Sequence, residues 1–274
     1  MEITVREFRS EDTKEAIAIW NEVVDQGKAF PQLEDLGVED GEAFFKEQSY
    51  TGIAVNENDE IIFAGEPVPY FRYEYYMLNK PAGVITATED RYQKTVLDFF
   101  GERRRKDLSP VGRLDKDTVG LLLVTNDGGF HHRLLSPKKH IDKEYYARID
   151  GRVDEADREK FEKGIYVDEI FTALPAKLMI DGYRENALES DFMDLANSRA
   201  PKSALENGVS EIRVVVQEGK FHQIKRMFHA LGKEVIYLKR IRIGSIVLDP
   251  TLEEGTYRRL TAGEVAALEK NGHM

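Results

Sequence analysis

The sequence contains no cysteine and a single tryptophan among its 274 residues. The absence of cysteine excludes disulfides, thiolate metal ligands and a cysteine nucleophile. No apolar run approaches the roughly 18 residues of a membrane-spanning helix, since runs such as residues 120–124 have the length of a strand. The first ten residues carry acidic side chains where a signal peptide needs a basic start and an apolar stretch. These absences predict a cytoplasmic protein that does not enter a membrane.

The chain also lacks an overall positive charge, because 39 Lys and Arg stand against 50 Asp and Glu, a net charge of −11. This balance argues against a nucleic-acid partner, but the charge is unevenly distributed. Residues 1–66 hold 17 acidic and 5 basic side chains, a net −12, and the remaining 208 residues hold 33 acids and 34 bases, a net +1. Residues 220–242 hold one acid, Glu234, against seven bases. This 220–242 basic cluster predicts either a polyanion-binding surface or an ordinary solvated face.

The first 55 residues have the pattern of a strand, two helices and a second strand. Apolar residues recur at helical spacing over residues 16–24, Ser10 is a candidate N-cap, and Gly27 is placed to end the helix. This order, with the text AIAIWNEVVDQGKAFPQ, resembles the opening of a GNAT acetyltransferase. The residues after Val55 lack the glycine-rich turn that would present N–H groups to the pyrophosphate of acetyl-CoA. An acetyltransferase activity is therefore not expected.

The rest of the chain mixes helices and strands without a regular βαβ rhythm. Such a mixture predicts an α+β domain. Strand patterns cover residues 143–149, 173–180, 212–216, 235–238 and 241–247, and helical patterns cover residues 154–163, 221–231 and 262–270.

The most informative segment is GRLDKDTVGLLLVTNDG at residues 112–128. Asp115 and Asp117 lie in a polar loop between two apolar strand patterns, and Gly112 and Gly120 bracket that loop. A carboxylate at the rim of a sheet is a candidate nucleophile, base or metal ligand. The Asp-x-Asp spacing alone is a weak signal, because aspartate is common in turns. Turn formation, covalent catalysis and a metal-dependent hydrolase therefore remain open, and for Asp117 and Asp127 we favour turn and cap hydrogen bonds.

Residues 112–128 closely resemble the signature of bacterial RNA pseudouridine synthases of the RsuA/RluB/RluE/RluF type. Four further segments agree with that family in the expected order, and the resemblance covers about residues 59–265. It implies a pseudouridine synthase fold with a mixed, largely antiparallel sheet. The four segments are YMLNKPAG at 76–83, LSPKKHIDKEYY at 135–146, EGKFHQIKRMF at 218–228, and the ending YLKRIRIG at 237–244 with GTYRRL at 255–260.

The resemblance also implies residue roles and an isomerisation that needs no metal and no organic cofactor. Asp115 is the catalytic aspartate that aids cleavage of the C1′–N1 bond of a uridine, and the freed uracil rotates and rejoins through C5. Tyr145 stacks on the base, and Lys225 pairs with Asp115 and favours its ionised form. Arg113 holds the target nucleotide out of the RNA stack. The other expected RNA contacts are Lys143, Lys220, His222, Gln223, Arg226, Lys239, Arg240 and Arg242.

The N-terminus departs from this family, whose members usually begin with a small basic S4 RNA-binding domain. An acidic module cannot supply the cation–phosphate attraction that dominates nucleic-acid affinity. We therefore interpret residues 1–58 as a small GNAT-like α/β module in place of S4, and residues 59–274 as the catalytic domain.

The expected partner is ribosomal RNA, and the wording LSPKKHxxKxYY favours 16S over 23S rRNA. A monomer is expected. The alternatives are a 23S rRNA pseudouridine synthase and a non-catalytic RNA-binding or assembly factor that keeps the fold.

Overall fold

The computed structural model describes residues 3–25, 35–48, 51–63, 66–67, 73–101, 104–136, 139–185, 187 and 202–271. The chain divides into two compact units, Met1–Arg72 and Tyr73–Met274. The sequence predicts the boundary at residue 58, whereas the structure has it at Arg72. The reason is that the chain after β2 (Gly52–Val55) folds back on the first unit, because Ile61 bridges Val55 and a hairpin of β3 (Ile62–Phe63) and β4 (Glu66–Pro67) follows.

The first unit has the predicted order of strand, helix, helix and strand in its described residues. β1 (Thr4–Glu7) pairs antiparallel with β2, and α1 (Thr13–Asp25) and α2 (Val38–Glu47) lie between them in sequence. A small apolar core includes Ile17, Phe45 and Ile53. The predicted helix end at Gly27 lies outside the described residues.

The second unit is built on a nine-stranded sheet. Its strands are β5 (Tyr75–Lys80), β6 (Ser109–Val111), β7 (Val119–Thr125), β8 (Lys143–Asp150), β11 (Lys177–Arg184), β12 (Val209–Val216), β13 (Val235–Ile243), β14 (Ile246–Val247) and β15 (Tyr257–Arg259). The strand order is β11-β12-β8-β13-β7-β5-β15, with β14 beside β13 and β6 beside β7. Of these pairings only β13 with β7 is parallel. The prediction of an α+β fold with a mixed, largely antiparallel sheet is confirmed.

Helices and a short hairpin complete this unit. They are α3 (Gly128–Leu135), α4 (Glu155–Lys163), α5 (Lys202–Asn207), α6 (Gln223–Ala230), α7 (Ala262–Asn271), and the hairpin of β9 (Ile165–Asp168) with β10 (Phe171–Ala173). The predicted Asp127 cap is present, because its side chain accepts from the Phe130 N–H at the start of α3. The N-cap predicted at Ser10 is wrong, since Ser10 lies inside a short 3-10 helix whose N-cap is Arg9. The sequence predicts two strands at 235–238 and 241–247. In the structure β13 covers most of both, because it continues through a bulge between Arg240 and Arg242. The strand predicted from Ala173 starts at Lys177, since Ala173 belongs to β10.

Strand β7 is an interior strand of the sheet, and every residue from Val119 to Thr125 is buried. Leu122 and Val124 join the core on one face, and Leu121 and Leu123 join a second core on the other. Gly120 permits the close parallel approach of β13, since a Cβ at this position would lie 2.4 Å from the carbonyl oxygen of Arg240. The loop of residues 112–118 therefore enters a strand that is fixed on both faces.

Candidate active site

The loop that carries Asp115 is tied to the segment after β5. Gly83 donates its N–H to the carbonyl of Lys116 at 2.8 Å. The Thr86 hydroxyl donates to the carbonyl of Leu114 at 2.8 Å and accepts from the N–H of Leu114 at 3.1 Å. The segment after β5 therefore holds the backbone on both sides of Asp115, and the side chain does not depend on the loop alone for its position.

The Asp115 side chain enters a cleft bounded by this loop, by β8 and β12, and by the turn before α6. The cleft encloses about 450 Å³, counting the part that is open to solvent. Its floor is apolar and its rim is polar and basic. The lining residues are Arg113, Leu114, Asp115, Thr118, Tyr145, Val216, Glu218, Gly219, Lys220, His222, Gln223, Ile224 and Leu238.

Lys225, on the first half of α6, is shared between two carboxylates. Its Nζ lies 3.2 Å from Oδ2 of Asp115 and 2.5 Å from Oδ1 of Asp117. Burial raises the pKa of Asp117, but the hydrogen bond and charge of Lys225 outweigh it, and the net pKa lies below its ordinary value. The pairing of Lys225 with Asp115 follows the prediction. The contact of Asp117 with Lys225 differs from the prediction, which is a turn or cap hydrogen bond for Asp117.

Tyr145 comes to the same cleft from β8. Its side chain is only 9% exposed, and its register partners are Val214 on β12 and Arg240 on β13. Burial in β8 alternates, so that Tyr145, Ala147 and Ile149 face the core under α6. The ring therefore forms part of the cleft wall, held on an interior strand. The structure thus brings together Asp115, Tyr145 and Lys225, although the sequence separates them by up to 110 residues.

His222 lies at the rim of the cleft, and it and Lys225 approach different carboxylate oxygens of Asp115. Its Nε2 is 3.5 Å from Oδ1 of Asp115, whereas Lys225 approaches Oδ2. Its backbone is left-handed, with φ 49° and ψ 33°, an uncommon conformation for a residue with a side chain. Arg113 and Lys220 also lie at the rim, and both are exposed. These three predicted RNA contacts face the cleft.

The structure corrects the expectation that the 220–242 basic cluster forms one surface. The register pairs Lys239 with Tyr146 and Arg242 with Glu144, on the face of β8 opposite to Tyr145. Arg242 donates to Glu144 at 2.7 Å. Arg240 does share the face of Tyr145, but it is 3% exposed and donates to the carbonyl of Leu121. Strand alternation and the bulge in β13 therefore divide residues that are neighbours in sequence.

Three further predicted RNA contacts are engaged within the protein. The amide of Gln223 is used at both ends, accepting from the Lys220 N–H at 3.1 Å and donating to Glu218 at 2.8 Å. Lys143 Nζ donates to the carbonyl of Ile141 at 3.0 Å, and burial lowers its pKa. Arg226 forms an ion pair with Asp168 of β9. Gln223 lines the cleft, and all three side chains are engaged with other parts of the protein.

Sequence reasoning missed Lys80, which lies beneath the Asp115 loop at the end of β5. Its side chain is fully buried, and Nζ donates to the carbonyls of Thr118, Pro81 and Lys116 at 2.9, 3.1 and 3.3 Å. Burial lowers the pKa of Lys80 to about 8, against the opposing charges of Asp117 and Asp115. The sequence signal that identifies Lys80 is a lysine at the end of an apolar strand, directly before a proline. Lys80 thus fastens the loop from below.

Lys80→Met is expected to destabilise the protein, and the loss should grow with pH. Because the folded pKa, about 8, lies below the ordinary 10.5, the folded state binds fewer protons between these values. The contribution of Lys80 to the free energy of unfolding therefore rises with pH across this window and is constant below it. We expect the difference between wild type and variant to increase by about 1–2 kcal/mol between pH 7.5 and 9.5, measured by urea unfolding. A difference that stays constant with pH would contradict this assignment.

Metal-ligating side chains do not cluster in the described part of the chain: no three or more His, Asp or Glu residues there are placed to hold an ion. Asp115 and Asp117 instead share the ammonium group of Lys225. None of the helices in the described ranges combines the length and apolar character that crossing a bilayer requires.

Comparison with known proteins identifies the family of this chain. The family model described as RNA pseudouridylate synthase matches residues 74–230. The uncharacterized RNA pseudouridine synthase YtzG of Bacillus subtilis is 40% identical over 215 residues, which are 78% of this chain and 81% of that protein. Ribosomal small subunit pseudouridine synthase A of Haemophilus influenzae is 36% identical over 80% of this chain and 84% of that protein.

A solved structure agrees with these relatives. A crystal structure of a pseudouridylate synthase shares 36% sequence identity, with a TM-score of 0.59, and covers 78% of this chain and 82% of its own. The matched residues 74–230 include the Asp115 loop, Tyr145 on β8 and Lys225 on α6. The chain belongs to the RNA pseudouridylate synthase family and is an RNA pseudouridine synthase.

Proposed function

We propose that this protein converts one uridine of 16S ribosomal RNA to pseudouridine, with Asp115 as its catalytic residue. The observation that carries the chemistry is the carboxylate of Asp115 beside the Lys225 ammonium group, at 3.2 Å, in a cleft walled by Tyr145. The ribosomal RNA substrate and the small-subunit target are supported by relatives named ribosomal small subunit pseudouridine synthase A, at 35–37% identity.

The reaction exchanges one glycosidic bond for another within a single nucleotide. Asp115 assists as the C1′–N1 bond breaks, either by attack or by stabilising the developing charge, as carboxylates do in glycosidases. The uracil turns within the cleft, C1′ bonds to C5, and the C5 proton leaves while N1 gains a proton. Electrons and atoms balance without an oxidant, since the product is an isomer of the substrate.

The surrounding residues serve orientation. Lys225 orients the Asp115 carboxylate through their 3.2 Å ion pair. Tyr145 offers an aromatic surface on which the freed uracil stays stacked, and its hydroxyl relays the C5 proton to solvent by giving up its own proton as it accepts. The target base must leave the RNA stack to reach this cleft, and Arg113 at the rim holds the extruded nucleotide.

Pseudouridine mapping of ribosomal RNA tests this function. RNA from cells with and without the gene is compared, and the deletion strain is complemented with wild type or with Asp115→Asn. We expect one 16S position to lose its modification on deletion and to regain it only with wild type. A lost position in 23S rRNA would reassign the substrate. If no position changes and no tritium is released from C5-labelled RNA, the protein is a non-catalytic RNA-binding factor.

Salt dependence of RNA binding separates the two faces of the sheet. Lys220→Gln is expected to reduce the slope of log affinity against log salt by about 0.7–0.9, because one phosphate contact is lost. Lys239→Gln is the matched control, since Lys239 lies on the face opposite to Tyr145 and should leave the slope unchanged. Filter binding at four salt concentrations measures both slopes. Equal reductions in the two variants would show that RNA contacts both faces.

A further inference from the structure

Phe221 exposes its ring at the rim of the catalytic cleft. Its side chain is 72% exposed, and the next residue, His222, lines the cleft and lies 3.5 Å from Asp115. Phe221 itself is not among the lining residues, but both of its chain neighbours, Lys220 and His222, line the cleft. Exposed aromatic residues such as Tyr92 and Tyr166 have no such neighbours. Phe221 is therefore an exposed aromatic residue directly before His222, the residue that contacts the Asp115 carboxylate.

The local backbone holds this ring in place. His222 adopts a left-handed conformation that costs conformational energy for a residue with a side chain. In that conformation its imidazole stacks on the Phe221 ring, with centroids 3.8 Å apart and planes inclined by 18°. His222 also ends the turn, because its carbonyl accepts from the Arg226 N–H at 2.9 Å in the first turn of α6. One face of the Phe221 ring is thus covered and the opposite face stays open.

We propose that Phe221, supported from behind by His222, is a stacking platform for an unpaired nucleobase next to the target uridine. This proposal rests on the proposed function. An enzyme that extrudes one base leaves its neighbours without a stacking partner, and aromatic side chains replace that partner with little dependence on base identity. The adjacent Lys220 is exposed at the cleft rim, where its ammonium group can meet the phosphate of the stacked nucleotide. Phe221 acts as a positioning residue, since it binds the RNA beside the reacting nucleotide.

Four variants test the platform. Phe221→Ala is expected to weaken binding of a short RNA hairpin that carries the mapped uridine by about 5- to 100-fold. Turnover at saturating RNA should stay near wild type, because uniform binding energy appears in KM and not in kcat. Phe221→Trp should retain affinity, whereas Phe221→Leu should not, because leucine is apolar but has no π face. Tyr166→Ala removes an aromatic ring that is 65% exposed on β9 and should bind as wild type does.

A double-mutant cycle identifies the stacked base. The hairpin is prepared with an abasic ribonucleotide at each position flanking the target uridine, and its affinity is measured with wild type and with Phe221→Ala. At one flanking position, removal of the base should weaken binding to the wild-type protein but hardly change binding to Phe221→Ala. The reason is that this variant has already lost the stacking contact.

The outcomes separate this proposal from the proposed function. If wild type forms pseudouridine and neither flanking position couples to Phe221, or if leucine restores affinity, the platform is overturned. If wild type forms no pseudouridine in ribosomal RNA, the proposed function fails. In that case the affinities of the Phe221 variants for single-stranded RNA of mixed sequence still decide whether the ring binds bases.

Discussion

Asp115→Asn is expected to abolish pseudouridine formation while RNA binding is largely retained. Asparagine keeps the shape of the side chain and can still occupy its place beside Lys225 and His222. It removes the negative charge and the nucleophilic oxygen that the C1′–N1 cleavage needs. The measurement is tritium release from C5-labelled RNA under single-turnover conditions, together with filter binding of the same RNA.

The matched control for this variant is Asp117→Asn. Asp117 also contacts Lys225, at 2.5 Å, but its side chain is 73% exposed and is not part of the cleft lining. We expect Asp117→Asn to reduce the rate only modestly, by less than about tenfold, as an indirect effect on Lys225. If Asp115→Asn turns over at more than about a hundredth of the wild-type rate, Asp115 is not the nucleophile or charge-stabilising group.

Lys225→Met is expected to cause the second largest loss, about 100- to 1,000-fold in the single-turnover rate. Lys225 is the ammonium group that Asp115 and Asp117 share, so its removal leaves two carboxylates at one site without their common cation. Such a pair disfavours the doubly ionised form. Methionine retains most of the side-chain length, so the packing of α6 should be preserved.

Lys225→Arg distinguishes a charge role from a structural one. Arginine restores the cation but presents a wider, planar group, and we expect it to recover at least part of the lost rate. Circular dichroism and thermal unfolding of both variants check that the fold is intact. Equal inactivity of the arginine and methionine variants would argue that Lys225 acts through its precise shape. Full activity of Lys225→Met would remove it from the site.

Several features of this protein follow from local sequence. Strand β7 is recognisable from its continuous apolar run, and helix α4 from its helical spacing over residues 154–163, because both depend on residues close in the chain. The α+β class and the mixed sheet follow from the mixture of such patterns together with the family resemblance. The catalytic candidate Asp115 rests on that resemblance, since an Asp-x-Asp loop has no chemical meaning by itself.

Other features depend on contacts that spacing does not encode. Lys225 and Asp117 are 108 residues apart, and only the packing of α6 against the loop before β7 brings them to 2.5 Å. Neighbouring basic residues of the 220–242 basic cluster have different surroundings, because strand alternation and the bulge in β13 set the face on which each side chain lies. The assignment of residues 1–58 as a GNAT-like module stays a prediction.

The motifs in the sequence indicate the enzyme family, most of the strands and helices that carry them, and Asp115, Tyr145 and Lys225 as candidates. Which polar side chains face the cleft depends on tertiary packing. It buried Arg240 and Lys80, engaged Gln223 and Arg226 within the protein, and left Phe221 open beside His222. The physical reason is that local patterns arise from the periodicity of a single element, whereas exposure and pairing arise from strand register and helix packing between distant segments.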